Sequence, residues 1–79
     1  MAPKQILTEL DMASAAKRFR KQAEKSRAQA ARDMGVAQTS IFHAEESPEQ
    51  SLIKLRVRMI ERYSTFKVKG PLFLLEEGS

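Results

Sequence analysis

The sequence predicts a mainly α domain: four helices closed by a short C-terminal β-strand or hairpin. Three observations carry that expectation. Apolar residues recur at three- and four-residue steps over about 12–24 and again over about 48–63, the period of an amphipathic helix. Between them, Ser26 to Glu45 reads as two short helices joined by a tight turn at Gly35. After Tyr63 the pattern changes: Ser64-Thr65-Phe66-Lys67-Val68 alternates, Lys69-Gly70-Pro71 interrupts, and Leu72-Phe73-Leu74-Leu75 runs apolar. That is the signature of short strands around a turn. At 79 residues the whole chain, 1–79, is expected to form a single domain.

Residues 1–10 read as a loose lead-in, in which Ile6, Leu7 and Leu10 either pack or form a short strand or helical turn. Asp11 is the expected cap of the first helix, over about 12–24. Met12, Ala15, Ala16, Phe19 and Ala23 share one face of it, with Phe19 as the main core anchor and basic residues on the other side. Ser26 opens the second helix, and Gln29 three residues on completes a capping box. Ala28, Ala30 and Ala31 favour helix and keep it slim, and Met34 adds bulk at its end. Gly35 supplies the positive φ that stops it, and Val36 plugs the turn into the core. The third helix covers about 38–45. Ile41 and Ala44 face inward there, while Gln38, Thr39, Ser40, Phe42 and His43 lie outward or at the edge. Ser47-Pro48-Glu49-Gln50 is the expected start of the fourth helix, 48–63, with serine as cap and Gln50 completing a second box. Its stripe of Leu52, Leu55, Met59, Ile60 and Tyr63, widened by Ile53 and Val57, is broad enough for part of it to meet a partner subunit.

The strand segment, 64–76, needs cover, because an isolated hairpin is barely stable in water. Pairing with the same segment of a second copy is the preferred expectation, with Phe66, Val68, Leu72, Phe73 and Leu74 as dimerisation residues. The alternative is a tail folded over its own core. Glu76-Glu77-Gly78-Ser79 is expected to be solvated and frayed.

Composition narrows the function. There are no cysteines and one histidine, which disfavours disulfides and metal sites, and no cofactor is expected. No apolar run approaches a membrane span and no secretory signal is evident, so a cytoplasmic location is expected. Lys4, Lys17, Arg18, Arg20, Lys21, Lys25, Arg27 and Arg32 outnumber Glu9, Asp11, Glu24 and Asp33 in residues 1–44, while residues 45–79 balance. The net charge of +4 therefore sits in the first part of the chain, either as a solvated basic face or as an attractor of phosphates. A chain this short gains from added support, and dimerisation is the simplest source.

Ala31 lies four residues before Gly35 and Ile41 six after it. That spacing fits a helix-turn-helix over 27–45, a motif that presents its second helix to the DNA major groove. With Ala31, Gly35, Val36, Gln38, Ser40, Ile41 and Glu45 at matching positions, the segment from about Phe19 to Glu45 resembles the lambda-repressor-like family, which includes the phage Cro proteins and the Xre regulators. The resemblance implies an ion pair between Arg20 of the first helix and Glu45 at the end of the reading helix. It also departs in places: Glu24-Lys25 replaces a usual Gly-Leu, Arg27 replaces a glutamine that binds phosphate, and Ala30 and Ala44 replace larger core residues. Arginine retains a grip on phosphate. The terminal strand segment is similar to that of Cro proteins that dimerise through a strand.

The resemblance further implies a sequence-specific transcriptional regulator: a small dimeric repressor of phage, plasmid or bacterial origin, reading a palindromic operator. Gln38 suits adenine, and Thr39 and Ser40 reach phosphate or a base edge. Phe42 either meets a thymine methyl or packs inward, and His43 either donates to DNA or is a surface packing residue. Ser26, Arg27 and Arg32, with Lys17 and Lys21, are the phosphate-binding candidates. No small-molecule ligand and no membrane partner are expected. Two alternatives remain: an antitoxin that represses its own operon, and a protein-interaction module using the fourth helix and the Leu72–Leu75 run. No nucleophile–base arrangement or glycine-rich phosphate loop suggests an enzyme.

Overall fold

The computed structural model describes residues 5, 6, 8–69 and 74–77. They form a mainly helical domain in the order β1 (Gln5–Ile6), α1 (Glu9–Gln22), α2 (Arg27–Met34), α3 (Gln38–Glu46), α4 (Ile53–Tyr63), β2 (Phe66–Lys69) and β3 (Leu74–Glu77). None of the described helices is long and apolar enough to cross a membrane.

α1 begins three residues earlier than expected. Its cap is Thr8, whose hydroxyl accepts from the Asp11 amide at 3.2 Å, while the Asp11 carboxylate accepts from the Thr8 amide at 3.1 Å. Asp11 thus serves the helix start as the reciprocal partner of the box and not as the cap. α2 carries the box that Ser26 and Gln29 predict.

Both helices end in the same way. The Lys25 and Glu24 amides return to the carbonyls of Arg20 and Lys21, and the Val36 and Gly35 amides return to those of Ala31 and Arg32. These are two Schellman turns, each needing one left-handed residue. Gly35 supplies it after α2 with φ 70°, and Glu24 supplies it after α1 with φ 59°.

α4 starts later than expected, at Ile53 with Leu52 as its cap. Ser47 instead ends α3: its amide donates to the His43 carbonyl, and its ψ of 71° breaks the helix ahead of Pro48. The carbonyls of Ala44, Ser47 and Gln50 all accept from the Arg56 guanidinium, at 2.9, 2.7 and 2.9 Å. A loop whose carbonyls converge on a buried cation cannot also point them along a helix axis, so the local signal at Ser47-Pro48 is overridden.

The core is shared by all four helices: Met12, Ala16 and Phe19 of α1, Ala30, Ala31 and Met34 of α2, Ile41 and Ala44 of α3, and Leu55, Met59 and Ile60 of α4. The strands form one antiparallel sheet in the order β1-β3-β2. Ile6 and Lys69 both pair with Leu74 from opposite sides, and Gln5 and Val68 both pair with Leu75. Within the chain β3 therefore has a neighbour on each edge, β1 on one side and β2 on the other. Glu76 and Glu77, expected to fray, are held in β3 by pairing with Lys67 and Phe66. Phe66 and Val68 pack against the helical core, with the Phe66 ring 5.7 Å from that of Phe19. Leu72 and Phe73 lie outside the described residues.

Candidate functional site

α3 has two chemically distinct faces. Ile41, Ala44 and Glu45 are buried, which fixes the helix against the rest of the domain. Gln38 and Thr39 are exposed, Ser40 and His43 are half-buried, and Phe42 keeps 44% of its surface in solvent. The outward side thus carries an amide, a hydroxyl and an aromatic ring, with no ionisable side chain among its first five residues. Ala37 offers no side-chain cap to this helix, in contrast to Thr8 and Ser26 on α1 and α2.

An ion-pair network clamps α3 from behind. Arg20 donates from Nε and Nη2 to the two oxygens of Glu45, and its Nη1 donates to the Lys25 carbonyl at 2.7 Å. Both side chains are buried, so the bidentate geometry and the third bond matter: a buried charge without them would cost several kcal/mol. Arg27 joins from α2, donating from Nε to Glu45 at 3.0 Å and from Nη2 to Glu46 at 2.8 Å. Lys17 reaches the same Glu46 oxygen at 2.6 Å. The hydrogen bond from Lys17 holds the Glu46 carboxyl below its ordinary range, with the charges of Lys17, Arg27 and Lys21 adding to it against the opposing effect of burial.

In front of the network, Arg27, Gln38, Thr39 and Phe42 line a shallow concavity of about 370 Å³. The Arg27 guanidinium carbon lies 5.0 Å from the Phe42 ring centroid, close enough for a cation–π contact. Phe42 therefore faces outward, and of the two expectations for it, burial is the one set aside.

The remaining predicted residues scatter. His43 turns toward the α3–α4 loop: its Nδ1 lies 3.1 Å from Ser47 Oγ and 3.3 Å from Gln50 Nε2. The Ser26 hydroxyl is engaged in capping α2. Arg32 and Lys21 are exposed in the last turns of α2 and α1.

Sequence reasoning missed two arginines of α4 that hold the site's supports. Arg56 is fully buried and ties down the C-terminal end of α3 and the loop after it. Arg58 donates to the Met34 carbonyl at 2.7 Å, the last residue of α2. The signal for Arg56 is its register, one residue after Leu55 and three before Met59, inside the apolar stripe. A third tie joins α2 to α4, where the Tyr63 hydroxyl donates to the Asp33 carboxylate at 2.7 Å. Comparison of the chain with protein-family models, with curated proteins and with solved structures finds no match.

Proposed function

We propose that the protein is a sequence-specific DNA-binding regulator, with α2, the Gly35 turn and α3 acting as a helix-turn-helix and α3 entering the major groove. The observation that carries this reading is the outward face of α3. Gln38, Thr39 and Phe42 carry no ionisable group there and are open to solvent, they adjoin Arg27, and the helix's inner face is held by a buried bidentate ion pair. A helix with only a solvation role would more often display Lys and Glu there.

In this reading Gln38 makes the paired hydrogen bonds that adenine N6 and N7 invite, Thr39 and Phe42 meet a thymine methyl, and Ser40 and His43 lie at the edge of the contact. Arg27 sits where it reaches phosphate beside the groove. Arg32, Lys17 and Lys21 extend the basic rim, Ser26 caps α2 beside it, and these contacts set register without reading sequence. Two copies on a palindrome, one helical turn between half-sites, form a repressor that occludes its promoter.

Selection of bound sequences from a random DNA pool tests this directly. A palindromic winner is expected, and Gln38→Ala is expected to lose discrimination at one base pair per half-site by about 1–3 kcal/mol. An unchanged preference profile in Gln38→Ala would remove α3 from the role of reader.

A further inference from the structure

Arg27 and Lys17 are not idle cations waiting for a ligand. Each already holds a carboxylate, and both hold the same atom, Glu46 Oε2, at 2.8 and 2.6 Å. Arg27 differs from Arg20 in one respect that matters here. The Arg20–Glu45 pair is buried, whereas Arg27, Lys17 and Glu46 keep 30%, 35% and 34% of their side-chain surface in solvent. The inner carboxylate, Glu45, is sealed in. The outer one is within reach of water and of any other anion.

Glu46 also occupies an unusual electrostatic position. The three cations that favour its charged form are Lys17, Arg27 and Lys21. These are three of the basic residues assigned above to the DNA backbone. A carboxylate held by that set stands where a phosphate oxygen would be attracted, and a carboxylate and a phosphate offer a guanidinium the same pair of accepting oxygens.

We infer that Glu46 is a built-in competitor of the DNA phosphate for Arg27 and Lys17. The anion on the protein keeps both cations engaged in the free state, and a backbone phosphate must displace it. This inference rests on the DNA-binding reading for its biological sense, but its chemistry concerns a phosphate group in general. The consequence is a protein whose sequence-independent affinity is held down, while contacts from Gln38 and its neighbours are untouched. Such a device lowers affinity for every sequence by the same factor and leaves the ratio between sequences to the base contacts.

The test is Glu46→Gln, which keeps size and hydrogen-bonding shape while removing the charge. Glu49→Gln is the control: it makes the same change in net charge at an exposed position in the α3–α4 loop, and no ion pair involves Glu49 among the described residues. Binding to a non-palindromic duplex is measured across a salt series. Glu46→Gln is expected to bind severalfold more tightly at low salt. The slope of log affinity against log salt should steepen by roughly one to two units, as about one or two further phosphates are neutralised. Glu49→Gln should stay close to wild type.

A second readout needs no DNA. Inorganic pyrophosphate is titrated while the Arg27 Nη–H and Lys17 Cε–H resonances, which report the groups that hold Glu46, are followed by NMR, and the shift should begin at lower pyrophosphate in Glu46→Gln than in wild type. Equal salt slopes for the two variants, together with equal pyrophosphate midpoints for Glu46→Gln and wild type, would overturn the competition. If none of the proteins binds any duplex, the regulator reading fails, and the pyrophosphate midpoints still decide the role of Glu46.

Discussion

Glu24 and Gly35 solve the same backbone problem with different side chains. Each is the left-handed residue of a Schellman turn, at φ 59° and 70°. For an L-residue with a Cβ, that conformation costs roughly 1–2 kcal/mol relative to the right-handed region. A Cβ added to Gly35 would meet no atom within 4 Å, so Gly35→Ala would suffer the backbone cost with no steric addition. Gly35→Ala is therefore expected to lower stability by about 1 kcal/mol, and Glu24→Gly to raise it by a similar or slightly smaller amount, since glycine also loses more freedom on folding. Thermal unfolding of the two variants should shift Tm in opposite directions. Equal signs would show that the two turns are not equivalent. The Gly35 turn and the Ser26–Gln29 box are legible in the sequence because every partner lies within five residues. Thr8 is less visible because Asp11 is itself a good cap, and residue type alone does not say which of two caps the chain will use. The family resemblance suggests Arg27 as a phosphate ligand and Glu45 as the partner of Arg20, but it does not reveal that Arg27 shares Glu45 and also holds Glu46.

At the scale of elements, α4 does more than fill the core. From positions two residues apart it sends Arg56 to the end of α3 and Arg58 to the end of α2. Each guanidinium supplies donors to carbonyls that a helix terminus leaves unpaired. These ties explain why α4 starts later than its sequence suggests: the Ser47-Pro48 signal is local, whereas Arg56 acts from nine residues beyond Ser47. β2 shows the same kind of action at a distance. It lies at the edge of the sheet, with β3 on one side. Amides on one strand alternate in direction, and those of Phe66 and Val68 point away from β3. Both are taken within the chain, Phe66 by Ser64 Oγ at 3.1 Å and Val68 by the Glu61 carboxylate at 3.0 Å. An exposed edge is a template for pairing with another chain, and a carboxylate lying across it blocks that pairing. Glu61→Ala should unmask the Val68 amide and promote strand addition between copies. Sedimentation at increasing concentration is expected to show a mass above that of the wild type under the same conditions. An unchanged mass, with the Val68 amide still protected from hydrogen exchange, would show that something other than Glu61 guards the edge.

For the molecule as a whole, the two ends of the chain meet in one sheet, and that meeting is illegible in the sequence. Gln5 pairs with Leu75 across nearly the full length of the chain, and a lead-in that reads equally as packing, short strand or helical turn does not name that partner. Helices can be read because their period is local; the closure of the sheet cannot. Global stability should likewise depend on a tie between distant elements, the Tyr63–Asp33 bond that joins α4 to α2. Burial pushes the Tyr63 hydroxyl up to about 12, with the Asp33 hydrogen bond and charge acting the same way against Arg62 and Arg20. The same bond holds the Asp33 carboxyl below its ordinary 3.8, with the charges of Arg62, Lys25 and Arg32 adding to it against the opposing effect of burial. The signs follow from linkage. Between pH 10, where an unfolded tyrosine ionises, and about 12, the folded state holds a proton that the unfolded state has lost, so stability falls as pH rises through that window. On the acid side the unfolded state binds the Asp33 proton first, so stability falls as pH drops below about 4 and through the lowered folded value. Tyr63→Phe removes the phenol and its bond together. Relative to wild type, its Tm should decline less steeply between pH 10 and 12. Its deficit at neutral pH should also narrow below about pH 4, where wild type gives up the bond to a charged Asp33 that the variant never had. Two parallel Tm–pH curves, offset but of the same shape, would mean that the hydroxyl contributes packing alone and that α2 and α4 are joined by the core and by Arg58.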